Sequence, residues 1–157
     1  MQNIEALLLQ RGVTKEDIID CVYFLQAQYF DYLDKSRITY YVDSVLNKRE
    51  VQQAIATGIA IDMATEARAF GSDELQEIIL NDEGLYGVDE VLAYGICNLY
   101  GSIALTNFGY IDKIKPGIIG VLNDDHTTQC NTFLDDIVGA VAAAAASKLA
   151  HDRENLV

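Results

Sequence analysis

Two adjacent carboxylates, Asp135 and Asp136, open a predicted helix that carries very little side-chain bulk. Alanines fill positions 142–146, and a helix of such small residues lets neighbouring helices approach closely. Either Asn131 or Thr132 is a suitable N-cap, because a short polar side chain can accept hydrogen bonds from first-turn amides. Acidic residues in a first turn also suit the helix dipole, so capping electrostatics is one interpretation of the pair. The other is that the pair is buried and needs a partner, for which a metal ion is the natural choice.

A second acidic pair, Asp89 and Glu90, stands at the start of a second apolar segment. The 21 residues from Val91 to Ile111 carry no charge, which is long enough to span a bilayer. Polar residues nevertheless recur in it at four-residue spacing, namely Asn98, Ser102 and Thr106. Such a stripe favours a central helix over about 88–108, surrounded by the other helices of a soluble bundle.

Asp112 follows this segment and adds one more carboxylate to the set. The predicted metal ligands are Asp89, Glu90, Asp112, Asp135 and Asp136. A hard oxygen-donor set without histidine selects Mg²⁺, Mn²⁺ or Ca²⁺ over zinc. Mg²⁺ held by a few carboxylates takes further ligands from a substrate phosphate, so the set predicts phosphate chemistry with Mg²⁺ or Mn²⁺ as cofactor. Lys113 or Lys115 could bind the phosphate, although turn lysines are more often only solvated.

The composition argues against several other classes of function. The chain of 157 residues has a formal net charge of −13, which disfavours nucleic acid as a partner and electrostatic attraction to an anionic membrane. Three well-separated cysteines favour a reducing compartment and argue against a disulfide framework. His126 and Cys130 are four residues apart, but the predicted loop around them argues against a zinc site. We expect a cytoplasmic protein with at most peripheral membrane contact.

Apolar spacing is helical almost throughout, which predicts an all-α fold with a single helical domain over 1–157. Thr14 and Asp17 form a predicted capping box ahead of the second helix. The predicted helices cover 3–10, a stripe from Ile18 to Leu33, 40–46, 48–70, 72–80, 88–108 and a last helix that ends near Ala150. Positions 120–129 are predicted to be a loop.

Two features of the longer helices have further consequences. Gly71 is the expected C′ residue that ends the helix over 48–70. Within that helix, Asp62 and Glu66 are four residues apart, and a solvent-facing pair near Arg68 is favoured over an inward Asp62. The aromatic second helix suits a subunit interface, so we expect a homo-oligomer.

Three separate acidic motifs together resemble the phosphatidylglycerophosphatase A family, in particular its small, soluble YutG-like branch. The motifs are Asp82-x-Gly84 with Val88-Asp89-Glu90, then Asp112-x-x-Lys115-Pro116, then Leu134-Asp135-Asp136-Ile137-Val138. The resemblance covers about 54–146 and leaves residues 1–50 outside it. It implies an all-helical domain with one central helix surrounded by others.

The resemblance also implies an activity, the Mg²⁺-dependent hydrolysis of a phosphatidylglycerophosphate-like phosphomonoester. Metal ligands or bases would be Asp89, Glu90, Asp135 and Asp136, joined by Asp112. Among them Asp135, Asp136 and Asp89 would be catalytic, with Lys115 as a phosphate contact and a lipid-linked monoester as substrate.

The sequence departs from the family pattern near these motifs. Gly109 stands where the family has an arginine, Ala93 replaces a glycine, and the family's P-G-T-x-G-S motif has no counterpart. The family's glycine-rich lead into the paired aspartates reads Gln129-Cys130-Asn131-Thr132 here, and losing the arginine and this glycine loop removes phosphate contacts. The alternative is a non-catalytic, oligomeric helical module that keeps the metal site, or only the fold, and serves a regulatory role in membrane-lipid metabolism.

Overall fold

The computed structural model describes residues 3–125 and 128–155, without the side chains of 153–155. Within these ranges the chain forms nine α-helices, one 3-10 helix at Ala27–Tyr29 and no strand, so the all-α prediction is confirmed. The helices are α1 (Ile4–Gln10), α2 (Lys15–Gln26), α3 (Lys35–Leu46), α4 (Arg49–Glu66), α5 (Asp73–Leu80), α6 (Val88–Asn98), α7 (Ser102–Ile114), α8 (Ile118–Asp124) and α9 (Leu134–Asn155).

The central helix is α9, and the prediction that 88–108 would occupy this place is wrong. Helix α9 packs against α2, α3, α4, α6, α7 and α8. Ala140 and the alanines at 142–146 are completely buried. Six helices can reach one helix because methyl side chains keep the interaxial distances short. The expectation of close approach to this helix is thus confirmed, and it is the reason why α9 is central.

The predicted helix over 88–108 is in fact two helices. Helix α6 ends at Asn98, and Gly101 has a φ of 97°, a conformation that residues with a side chain rarely adopt. Helix α7 then begins at Ser102 and packs against both α6 and α9. Apolar periodicity could not reveal this break, since the uncharged pattern continues through it. In the described part of the chain no helix has the length and apolar character needed to cross a membrane.

Local signals fixed some helix boundaries correctly and misplaced others. The capping box of Thr14 and Asp17 is present at the start of α2, with both reciprocal hydrogen bonds formed. Helix α2 ends at Gln26, although Leu33, the last residue of its predicted stripe, is buried. Helix α3 begins at Lys35 rather than Tyr40, because Asp34 caps it through the amide of Ser36.

The end of α4 and the start of α8 also differ from the prediction. Helix α4 ends at Glu66, and the left-handed residue that follows its end is Arg68, with a φ of 55°, whereas Gly71, with a φ of 98°, lies three residues further on. The amide of Ala69 closes this turn on the carbonyl of Ala64. An ion pair with Glu77 holds Arg68 in place. The first half of the predicted loop over 120–129 is helical, since α8 extends to Asp124.

Candidate active site

The N-terminus of α9 is capped by a side chain from a distant helix. Asp62 of α4 is completely buried and accepts hydrogen bonds from the amides of Phe133 (3.0 Å) and Leu134 (2.9 Å). The favoured prediction of a solvent-facing Asp62 is therefore wrong. A carboxylate at a helix N-terminus satisfies the orphan amides and suits the dipole, which compensates its burial.

The predicted N-caps of α9 have other partners. Asn131 donates from its side-chain amide to the carbonyl of Leu122 (3.1 Å), which ties the chain to α8. Thr132 donates its hydroxyl to the carbonyl of Ile79 (2.6 Å) on α5. Both side chains thus position the segment before α9 instead of capping it.

Arg11, at the end of α1, locks the same segment from the other side. Its guanidinium donates to both carboxylate oxygens of Glu66 (3.1 and 2.8 Å) and to the carbonyl of Cys130 (2.9 Å). Glu66 in turn accepts from the amide of Cys130 (2.8 Å). Glu66 is therefore part of a structural ion pair with Arg11, and no such pair forms with Arg68, which bonds Glu77.

The segment before α9 is held by these contacts. The first turn of α9 lies against the acidic ends of α6 and α7. Asp135, Asp136 and Asp89 are 4%, 5% and 8% exposed. The Asp136 carboxyl group lies within hydrogen-bonding reach of Asp89 on α6 and Asp112 on α7. Acidic residues that are far apart in sequence therefore form one cluster where three helices meet. Glu90 is half-buried beside it and experiences the charges of Asp89 and Asp112.

Burial and mutual repulsion raise the pKa values of Asp135, Asp136 and Glu90. Burial first, and then the charge of Asp135, raises the pKa of Asp136 far above its ordinary value. Burial also raises the pKa of Asp135, against the opposing charge of Lys115. The pKa of Glu90 is raised by burial and by Asp89. Without a cation, Asp135 and Asp136 therefore retain protons to higher pH than carboxyl groups in water do.

Lys115 is the cation that the structure places against this cluster. Its ammonium lies 3.1 Å from Asp112 and 3.7 Å from Asp135. Burial lowers the pKa of Lys115, but the attraction of these carboxylates outweighs it and the net shift is upward. Lys115 ends α7 in a left-handed conformation with a φ of 53°, which costs energy outside glycine. Gly120 permits this turn, because a Cβ there would meet the Lys115 carbonyl oxygen at 2.7 Å.

The profile of phosphatidylglycerophosphatase A matches residues 12–151. The chain belongs to this family. The match includes α2 and α3, which precede the 54–146 stretch that carries the motifs.

Curated relatives and solved structures agree with the family assignment. The chain is 55% identical to YutG of Bacillus subtilis strain 168 over 146 residues, which cover 93% of this chain and 87% of YutG. It is 52% identical to the low temperature requirement C protein of Listeria monocytogenes, whose crystal structure matches with a TM-score of 0.92 over 96% of this chain and 94% of that chain. The crystal structure of ypjQ from Bacillus subtilis matches with a TM-score of 0.93 at 46% identity, covering 98% and 94% of the two chains.

The structure adds Asp82 to the candidate site of this phosphatidylglycerophosphatase A family member. This acidic residue was not among the predicted site residues. The charge of Asp82 acts on both Asp135 and Glu90. Asp82 and Asp135 also line one polar cavity of about 180 Å³, together with Arg68. The motif Asp82-x-Gly84 was the sequence signal that could have identified it.

The two predicted lysine contacts differ in position. Lys115 is half-buried against Asp112 and Asp135, as described above. Lys113 is exposed, and in the described ranges it forms no ion pair with the cluster. Its assignment as a phosphate contact stays a prediction.

The donor chemistry of the cluster fits the divalent cation that we predicted for it. Buried carboxylates repel one another, and a hard cation offsets that repulsion with the ligand type it prefers. Among residues 3–125 and 128–155, however, no three carboxylates, thiols or imidazoles are arranged so that they could hold a metal ion as they stand. The Asp136 carboxyl group instead lies within hydrogen-bonding reach of Asp89 and Asp112. A hydrogen bond between carboxyl groups needs a proton, which takes the place of a cation, so the coordination geometry stays a prediction.

The geometry of the described residues does not support a zinc site at Cys130. Cys130 is buried, and its thiol donates to Asp62 (3.6 Å). Burial raises the pKa of this thiol to about 11, which disfavours the thiolate that a zinc ligand requires. His126 lies outside the described residues.

Proposed function

We propose that this protein is a Mg²⁺-dependent phosphohydrolase that acts on a phosphatidylglycerophosphate-like phosphomonoester. The observation that carries the proposal is the convergence of acidic residues from α6, α7 and α9 around Asp136 in a member of this family. A phosphatase role follows from the family, whereas the metal and the substrate are our proposals.

The residues of the cluster divide into roles by exposure and charge. Asp89, Asp112, Asp135 and Asp136, with Glu90 at the edge, would hold the cation. Mg²⁺, when bound, supplies positive charge that offsets the phosphoryl oxygens and acidifies water. A carboxylate of this set that the cation leaves free would accept a proton from the attacking water.

Lys115 would orient the phosphate in this scheme. Its ammonium is already held between Asp112 and Asp135, so a phosphoryl oxygen near the cluster meets a fixed positive charge. This position also addresses the departure at Gly109, where the family has an arginine. Lys115, which belongs to the family motif, would remain as a cationic contact where Gly109 offers none.

Phosphate release from phosphatidylglycerophosphate in mixed micelles tests the proposal. We expect the purified protein to release phosphate with Mg²⁺ and to lose activity in EDTA. Asp135→Asn should lower kcat/KM by about 100-fold or more, since it removes a charge that acts on metal and water together. Asp31→Asn is the matched control, because Asp31 is exposed and outside the cluster, and its activity should equal that of the wild type.

Two results would contradict this function. One is the absence of phosphate release from every lipid and soluble phosphomonoester tried. The other is release that persists in Asp135→Asn. A thermal-unfolding midpoint that also ignores Mg²⁺ and Mn²⁺ would then favour the non-catalytic helical module, since a metal that binds the folded state must raise it.

A further inference from the structure

An apolar groove runs between α4 and α6 on the surface of the molecule. Its volume is about 480 Å³, which lies in the range of small-molecule sites. Ala54, Thr57 and Ile61 line it from α4, and Val91 and Leu99 line it from α6. Val91 is 65% exposed and Leu99 41% exposed, so apolar walls of this groove are open to solvent.

One end of the groove adjoins the acidic cluster. Val88 and Phe133 both line it, one residue before Asp89 and two residues before Asp135. From Val88 to Leu99 the rise of an α-helix gives a length of about 16 Å. This is close to half of the roughly 30 Å hydrocarbon core of a bilayer, which is the reach of one acyl chain.

The opposite end of the groove is polar. Among its described lining residues only Glu50 is charged. Burial and then the charge of Glu50 raise the pKa of Tyr100, which places Glu50 near Tyr100, just beyond the end of α6. The groove is thus uncharged from the acidic cluster to its far end, on a chain whose net charge is −13.

A glycine leaves the α6 side of the groove open. A Cβ built at Gly95 would have no heavy atom within 4 Å. Gly95 sits inside α6, so a larger side chain there would project into the groove without a steric conflict with the fold. The space is therefore available to a ligand.

We infer that this groove holds one acyl chain of the phosphomonoester whose phosphate is processed at the adjoining acidic cluster. The inference rests on the proposed function and adds a chain-binding site to it. A phosphate at the cluster and an apolar chain along the groove reproduce the order of polarity in a lipid phosphomonoester.

Gly95→Leu tests the groove directly, because its side chain fills the space where the chain would lie. We measure kcat/KM for a long-chain lipid phosphomonoester and for glycerol 3-phosphate, which has no acyl chain. The ratio of the two should fall by about tenfold for each pair of methylenes kept out of the groove. Thr57→Leu, on the opposite wall, should lower the ratio as well and guards against a folding defect specific to α6.

Two control variants accompany this experiment. Gly95→Ala adds only a methyl group and should lower the ratio less than Gly95→Leu does. Ala6→Leu places the same leucine on an exposed position of α1, far in sequence from the groove, and should leave the ratio unchanged. Binding of monomeric dodecyl phosphate, followed by isothermal titration, gives a second readout that needs no catalysis. Gly95→Leu should weaken this binding by about tenfold or more.

The outcomes separate the two proposals. Lipid hydrolysis with an unchanged ratio in both Gly95→Leu and Thr57→Leu would overturn the groove and leave the hydrolase intact. If the wild type hydrolyses nothing, the proposed function fails. The groove is then tested by dodecyl phosphate binding, and binding that Gly95→Leu does not weaken would overturn it. Light scattering that shows a change of oligomer size in Gly95→Leu would assign the groove to a contact between copies and overturn the inference.

Discussion

Asp136 is the carboxyl group on which the candidate active site converges. It is buried, it adjoins Asp135 in the chain, and it reaches Asp89 and Asp112 on two other helices. A buried carboxyl group with three acidic neighbours is stable only if a proton or a cation lies between them. We propose that a divalent cation, rather than only a proton, fills this place.

Lys115 offsets part of this repulsion, which leads to a prediction about stability. Lys115→Met should lower the free energy of unfolding in EDTA by about 1–2 kcal/mol, because Asp112 and Asp135 lose a charged hydrogen-bond and ion-pair partner. Urea denaturation of the metal-free protein measures the change.

Lys113→Met is the matched control for that experiment. Lys113 belongs to the same helix but is exposed, so its substitution should change the free energy of unfolding by less than about 0.5 kcal/mol. Equal effects of the two substitutions would show that Lys115 does not compensate the cluster.

At the scale of helices, local signals in the sequence predicted starts better than ends. The capping box of Thr14 and the acidic first turns of α6 and α9 follow from residues next to each other in the chain. The cap of α9 does not, because Asp62 lies 71 residues before Phe133 and nothing in its own helix indicates the partner. The turn at Gly101 was also missed, because the apolar spacing continues on both sides of it.

The capping of α9 by Asp62 predicts a specific dependence of stability on pH. Burial raises the pKa of Asp62 from 3.8 to about 7, although hydrogen bonds from two amides and the charge of Arg11 lower it. The unfolded chain therefore releases this proton at lower pH than the folded protein does. Between those two values the folded protein binds more protons, so the contribution of Asp62 to the free energy of unfolding falls as pH rises.

Asp62→Asn isolates that contribution. The variant should be less stable by about 1–3 kcal/mol at low pH. The side-chain NH₂ of the asparagine cannot accept the hydrogen bond that one backbone N–H of the α9 N-terminus donates. The difference from the wild type should shrink as pH rises from about 4 to 7, measured by urea denaturation in EDTA. Parallel pH profiles of the two proteins would contradict the shift of Asp62.

The alanines of α9 carry a second prediction at this scale. Ala143 is completely buried, and a larger side chain there would push the surrounding helices apart. Ala143→Leu should lower the free energy of unfolding by about 1–3 kcal/mol. Ala6→Leu, on exposed α1, should change it by less than about 0.5 kcal/mol, and a similar loss in both variants would refute the packing argument.

For the whole molecule, the sequence predicted the members of the acidic cluster but not how the chain assembles them. Asp89 and Asp135 could be selected because each opens an apolar helix, a local pattern. Which helix lies at the centre depends on how all the helices pack together. The sequence showed that α9 has small side chains, but not that six other helices would pack against it. Asp82 was missed because it lies in a turn, and only the fold brings its charge near Asp135.

The central claim is that the acidic ends of α6, α7 and α9 bind one divalent cation. A crystal structure of the protein grown with Mn²⁺, with data collected for anomalous scattering, tests it most directly. The account predicts one anomalous peak within about 2.5 Å of carboxylate oxygens from Asp89, Asp135 and Asp136, absent in crystals of Asp135→Asn. A map of the wild type without a peak between these helices, at saturating Mn²⁺, would contradict it.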